Sequence, residues 1–333
     1  MVYWHHSTAL QARYLIYRII AGERKQFEEE KMKLSALIGH WGLESGEIRQ
    51  IQDCVWEVSG TYILKAYERF SDLERNVQIM KVLRSMDIPA AEVISTSEGT
   101  DYLCSEERCY MVTRKLPGAP AKDIKEVKKL TCQMGQIIGR LHLAFQTCEE
   151  ELDFWDNSLL SEMKGWVKDE LNKNCWTVIA QSDYETAVSS LEHMYDRLPF
   201  QLIHRDVHFG NFLFQEGEFT GYIDFDLSQK NIRIFDLCYF LMGLLAGEET
   251  LRPGKNEWLQ MIAETVAGYE SQITLTAVEK EAFPWVMENI ELLFAAWYTG
   301  ISDVRCAEDA TKLFHFVQEN ETAITDALKI VSV

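Results

Sequence analysis

The run His204-Arg205-Asp206-Val207-His208-Phe209-Gly210-Asn211, followed by Asp224-Phe225-Asp226, limits what this chain can fold into more than any other feature. Four residues separate Asp206 from Asn211, a spacing that makes a tight loop. In such a loop a carboxylate can face a hydroxyl while an amide oxygen faces a cation. The residues between Asn211 and Asp224 read as two short strands, Phe212-Leu213-Phe214 and Phe219 to Ile223, around a turn at Gln215-Glu216-Gly217-Glu218. A hairpin of that kind carries Asp224 back toward Asn211, so a base candidate and two metal-ligand candidates are gathered by local means.

At 333 residues the chain is too large for one minimal core, and two lobes or two domains are expected. An apolar share of 47% with 26% charged residues belongs to a globular chain rather than a disordered one. The net charge of −19 argues against nucleic acid as a partner, because no basic surplus exists to displace counterions from phosphates. It is compatible with a cationic substrate. Eight scattered cysteines without a Cys-x-x-Cys pair, and no secretory signal, lead to an expectation of reduced thiols in a cytoplasmic protein. The best apolar run, Ile232 to Ala246, is too short to span a membrane and holds Arg233 and Asp236.

Along the chain, residues 1–40 have helical periodicity and form an N-terminal extension. Residues 41–116 are richer in strands: Ile48 to Ile51, Cys54 to Val58 and Tyr62 to Tyr67, then Val93-Ile94, Tyr102 to Cys104 and Tyr110 to Thr113. A helix from Ser71, its expected N-cap, to Ser85 interrupts them, with Leu73, Val77, Met80 and Leu83 inward. The break at Leu116-Pro117-Gly118-Ala119-Pro120 marks the lobe boundary. Residues 117–333 are mostly helical, beginning with a long helix from about Ala121 to Phe145 and continuing with two more between Ser158 and Leu198. The fold class is therefore α+β, with a small antiparallel-sheet N-lobe and a larger helical C-lobe.

The loop and hairpin resemble those of the aminoglycoside phosphotransferase and choline kinase superfamily of protein-kinase-like folds. The resemblance runs from about Leu43 to Leu245, strong in the C-lobe and looser before it. It implies transfer of a γ-phosphoryl group from ATP or GTP, with Mg2+, to a hydroxyl of a small molecule. Asp206 matches the catalytic aspartate, and Asn211 and Asp224 match the metal ligands. Asp226 is an auxiliary ligand or a turn cap. His204 and His208 take loop-supporting roles, and Asp236 is expected to clamp backbone amides of the loop. Lys65, at the end of the strand Tyr62-Ile63-Leu64, matches the lysine that reaches the α and β phosphates. Its partner is either Glu74 or an altered pair, since alignment on Ile88-Pro89 sets the usual acid nearer Asn76. The Arg114 carbonyl and the Leu116 amide are expected to meet the base. Where relatives carry phosphate-covering glycines, this chain has Gln50-Ile51-Gln52-Asp53-Cys54.

For a substrate pocket the candidates are Trp155-Asp156 and Trp297-Tyr298, because cationic ligands favour aromatic faces beside carboxylates. Three functions follow. One is a kinase of a small amino sugar, amino alcohol or similar metabolite. Another is a protein kinase, which the chain argues against by leaving only Leu227 to Asn231 for an activation segment and lacking Ala-Pro-Glu. The last is a catalytically weak or inactive kinase-fold binding or structural protein, which the glycine-free loop favours.

Overall fold

The computed structural model describes residues 32–44, 46–105, 108–121, 124–151, 154, 158–247 and 252–329. Most of the expected N-terminal helix lies outside the described residues; residues 32–38 are helical. The chain divides into two compact units. The first takes in the described residues through Ala119 together with Phe212–Asp226, and the second takes in Pro120–Asn211 and the residues from Leu227 onward.

The first unit is built on an antiparallel sheet of β1 (Ile48–Gln52), β2 (Val55–Val58), β3 (Tyr62–Tyr67), β4 (Val93–Ile94), β5 (Leu103–Cys104) and β6 (Cys109–Arg114). The strand order is β1-β2-β3-β6-β4, with β5 also paired to β6. Trp56, Val58, Leu64 and Val112 pack against Leu34, Ile38 and Trp41, so one face of the sheet is covered by the segment that precedes it. The Trp41 indole donates to the Ile94 carbonyl at 2.9 Å, which ties that segment to β4. Helix α1 (Phe70–Ser85) buries Leu73, Val77, Met80 and Leu83 as their spacing predicts. Its start differs from expectation. The N-cap is Arg69, which makes no side-chain cap, and Ser71 lies inside the first turn.

The hairpin forms as β8 (Phe212–Gln215) and β9 (Glu218–Tyr222), with Phe212 opposite Tyr222. Its turn, Glu216-Gly217, has φ values of 54° and 87°, both on the positive side that a two-residue hairpin turn needs. Ala119 and Phe214 exchange backbone hydrogen bonds at 3.0 and 2.9 Å, so the segment after β6 lies along the hairpin's free edge.

The thiol expectation needs one correction. Cys104 and Cys109 face each other across the β5–β6 pair and are joined in a disulfide. Two cysteines five residues apart become cross-strand neighbours because β5 pairs antiparallel with β6, a pairing that no search for Cys-x-x-Cys detects.

The second unit is helical. Its elements are α2 (Ile124–Glu151), α3 (Leu159–Glu162), α4 (Lys168–Lys173), α5 (Gln181–Tyr195), α6 (Ile234–Leu245), α7 (Lys255–Glu270), α8 (Ala277–Gly300) and α9 (Val304–Lys329). A π turn at Met163–Val167 joins α3 to α4, and the short strands β7 (Phe200–Ile203) and β10 (Gln229–Ile232) pair antiparallel. Helices α2 and α7 cross at glycines. A Cβ on Gly135 would stand 1.9 Å from the Thr265 carbonyl oxygen, and one on Gly268 1.9 Å from that of Cys132. Only backbone without side chains can approach so closely. Among the described residues no helix is long and apolar enough to cross a membrane.

Candidate active site

In the second unit, β7 delivers the chain into the loop His204–Asn211. The loop is anchored from below by Asp236, in the first turn of α6. Its Oδ2 accepts the His204 amide at 2.9 Å and its Oδ1 accepts the Arg205 amide at 2.8 Å. A buried carboxylate needs several donors, and a third comes from His142 Nε2 at 3.0 Å. The other ring nitrogen of His142 meets the Tyr269 hydroxyl at 2.9 Å, so the ring bridges Asp236 and the tyrosine. Arg205 turns through φ 67°, a left-handed conformation rare for a long side chain. Its guanidinium is held by buried Glu162 and lies over the Phe235 ring.

Asp206 follows immediately. Its Oδ1 accepts the Tyr239 hydroxyl at 2.8 Å, and its Oδ2 accepts Asn211 Nδ2 at 2.9 Å. His208 Nδ1 accepts the Gly210 amide at 2.9 Å, and its Nε2 lies 3.5 Å from Asp206 Oδ2. His204 Nδ1 accepts the Asp206 amide. Burial by itself would raise the Asp206 pKa. The hydrogen bond and charge of His208, then His204 and the Tyr239 hydroxyl, outweigh it and hold the carboxyl well below its usual range. Asn211 also donates to the Asp206 carbonyl at 3.0 Å. With its nitrogen turned to Asp206, the amide presents its oxygen elsewhere, and oxygen is the atom a hard cation takes.

Beside Asp206 runs an aromatic series. Tyr239 packs on Phe294 at 5.9 Å, Phe294 on Tyr298 at 6.2 Å, and Tyr298 on Trp297 at 4.8 Å. Tyr298 is buried and Trp297 is 45% exposed, so of the pocket candidates this pair is connected to the loop through Tyr239. Trp155 and Asp156 lie outside the described residues.

In the first unit, Asp224 takes φ 66° just after β9, a conformation aspartate tolerates better than most residues. Lys65 Nζ lies 3.0 Å from Asp224 Oδ1 and 2.6 Å from Asp226 Oδ2. Burial would lower the lysine pKa, but the two carboxylates overcome it and raise it. Glu74, offered as the lysine's partner, is exposed on α1. The helix turns Leu73 and Asn76 inward, and Asn76, only 3% exposed, donates to the Asp72 carbonyl. The altered pair is thus the one present: Lys65 pairs with the two aspartates and not with Glu74.

Arg114 ends β6. Its amide donates to the Glu92 carbonyl at 2.8 Å, and its side chain pairs with Glu92 above the Tyr62 ring. Leu116, half-buried, follows. The glycine-free segment is a two-residue hairpin turn, Asp53-Cys54, closed by the Gln52 and Val55 pair, with Cys54 at φ 59°.

Among the described residues, no three His, Cys, Asp or Glu side chains converge as a metal cluster. What is present suits a hard divalent ion that keeps waters or borrows ligand oxygens. Asp224 and Asp226 offer carboxylates, and Asp226 Oδ1 is buried without a hydrogen-bond partner. Tyr239, His142 and Glu162 were not singled out from sequence. Tyr239 and His142 sit in apolar helices where they read as packing, and Glu162 reads as one more surface acid.

Residues 48–270 match the Phosphotransferase enzyme family. A homoserine kinase of Polaromonas naphthalenivorans (strain CJ2) is 23% identical over 270 residues, covering 76% of this chain and 79% of its own. Among solved structures, an amicoumacin kinase in complex with AMP-PNP, Ca2+ and Ami has a TM-score of 0.67 at 18% identity, covering 92% of this chain and 96% of that one. A microcompartment-associated aminopropanol kinase has the same TM-score at 16% identity, covering 88% and 98%. At such identities the structural likeness is one of fold, and it is the protein-kinase-like fold expected from the loop. The family match begins at β1 and ends with α7, takes in the loop His204–Asn211 and the run Asp224–Asp226, and makes this chain a member of the phosphotransferase enzyme family, with a hydroxyl as acceptor.

Proposed function

We propose that the chain transfers the γ-phosphoryl group of ATP or GTP, with Mg2+, to a hydroxyl of a small molecule that also carries an amine. The observation that carries this reading is the Asp206 carboxylate, 19% exposed and kept ionised by His208, Tyr239 and Asn211. An ionised carboxylate with both oxygens fixed can orient an acceptor hydroxyl and take its proton as the new P–O bond forms. Lys65 offers its ammonium to phosphate oxygens. Asp224, Asp226 and the Asn211 amide oxygen would hold the ion, which when bound neutralises charge on the phosphates. The Arg114 carbonyl and the Leu116 amide would meet the nucleotide base.

The amine is supported by three things. The aromatic series from Tyr239 to Trp297 offers faces to a cation. The chain's net charge is −19. Homoserine and aminopropanol, named for two of the similar proteins, are both amino alcohols. A protein acceptor is disfavoured, because only Leu227 and Ser228 separate Asp226 from β10.

A second reading, a kinase-fold binding protein without turnover, draws on the glycine-free Asp53-Cys54 turn and on a lysine with no acid from α1. A nucleotide-consumption assay against amino alcohols, amino sugars and plain sugars decides between them. Turnover with an amine-bearing acceptor is expected. A melting shift equivalent to about 2.7 kcal/mol at a hundredfold excess over Kd, with no turnover on any acceptor, would leave the binding protein.

A further inference from the structure

Lys65 lies between two carboxylates. Its Nζ is within ion-pair distance of both Asp224 Oδ1 and Asp226 Oδ2, and its side chain is only 19% exposed. On α1, Glu74 is exposed, Asp72 is paired with Arg69 and Arg75, and Asn76 is neutral with its amide on the Asp72 carbonyl. The ammonium stands over the Tyr67 ring at 5.2 Å, which limits where it can retreat. Asp226 meanwhile keeps its Oδ1 buried and unpartnered.

We propose that, without nucleotide, Lys65 is a tethered cation that closes the Asp224–Asp226 pair to divalent metal, and that metal enters only with a polyphosphate that takes the ammonium over. The inference rests on the proposed reading of Asp224 and Asp226 as metal ligands. Two carboxylates bring two negative charges and the ammonium cancels one. An arriving divalent ion then meets both a weaker anion and a positive charge at contact distance. A triphosphate tail removes both obstacles, because its oxygens accept the ammonium and add donors to the ion.

The test is Mn2+ titration of the full chain, followed by electron paramagnetic resonance, alone and with AMP-PNP. Wild-type protein should bind Mn2+ weakly alone and tightly with AMP-PNP. Lys65→Met and Lys65→Gln should bind Mn2+ alone at least about tenfold more tightly than wild type, since the competing charge is gone. Lys65→Arg, which keeps the charge, should stay as weak as wild type. Neutral variants no tighter than wild type, or an arginine variant as tight as the neutral ones, would overturn the proposal. Should the neutral variants fail to fold, the wild-type titration without AMP-PNP decides by itself: micromolar Mn2+ binding sinks the idea, and weak binding sustains it, with AMP-PNP, which chelates Mn2+ itself, serving only as a positive control. The gain in Mn2+ affinity needs no turnover. An inactive chain that shows it therefore counts against the proposed function alone, and an active chain that lacks it counts against the tethered lysine alone.

Discussion

Tyr239 donates its hydroxyl to Asp206 Oδ1 at 2.8 Å, joining the middle of an apolar helix to the carboxylate proposed to orient the acceptor. The tyrosine is half-buried with its hydroxyl turned inward, and desolvation followed by the Asp206 charge keeps its own pKa well above the ordinary value, so it is a donor at neutral pH. Removing the hydroxyl takes away one of the groups that favour ionised Asp206. Tyr239→Phe should therefore move the acid limb of the kcat/KM profile to higher pH. The sign follows because a depressed carboxyl pKa rises when a donor to its charged form is lost. His208→Ala, which deletes the stronger stabilising neighbour, should move that limb further. A profile unchanged in both variants would mean that Asp206 does not set the acid limb.

Asp206→Ala should reduce kcat by roughly 10²–10⁴-fold, the range for loss of a general base. The fold should persist, because Asp236 and not Asp206 secures the loop backbone. Circular dichroism and a melting curve alongside the rate separate the two effects. Wild-type turnover in a folded Asp206→Ala protein would remove this residue from the reaction.

Asp236 carries a heavier structural share. It accepts from the His204 and Arg205 amides and from His142, all in a fully buried setting. Asp236→Ala strands two backbone donors and a ring nitrogen, so a loss of about 3 kcal/mol or more is expected. Urea denaturation measures it. His142→Phe should cost less, since the carboxylate keeps both backbone donors.

Much of this arrangement was legible in the chain because it is local. The spacing of Asp206, Asn211 and Asp224 and the turn residues Glu216-Gly217 depend on neighbours a few positions away. Asp236 was readable as a clamp through the family resemblance. What could not be read depends on contacts between distant segments. Tyr239 and His142 gain their roles only when α6 and α2 pack beside the loop, and each sits in an apolar stripe that reads as core. Asn76 faces inward and Glu74 outward because two positions on a helix are about 200° apart, so the phase of α1 decides which one meets the sheet. The Cys104–Cys109 bond required a hairpin whose strands are two residues long on one side.

Two buried carboxylates outside the proposed chemistry give the chain a measurable pH signature. Glu288 and Glu291, on α8, are 4% and 3% exposed. Burial pushes each up to about 8, and the charge of Glu321 on α9 adds to the effect at Glu288. Their pKa values in the folded chain lie above those of the unfolded chain, so the unfolded state loses these protons first as pH rises. Between roughly pH 4.5 and 8 the folded state binds more protons than the unfolded one, and stability falls with rising pH until the folded groups ionise as well. Glu288→Gln and Glu291→Gln fix the neutral form in both states and remove that slope. Melting temperatures from pH 5 to 9 should show the single variants matching wild type near pH 5 and exceeding it near pH 8. The gap would correspond to a few kcal/mol or less. A wild-type melting temperature that is flat or rises between pH 6 and 8, with no gain from either glutamine, would show that these carboxylates are ionised in the folded chain at neutral pH.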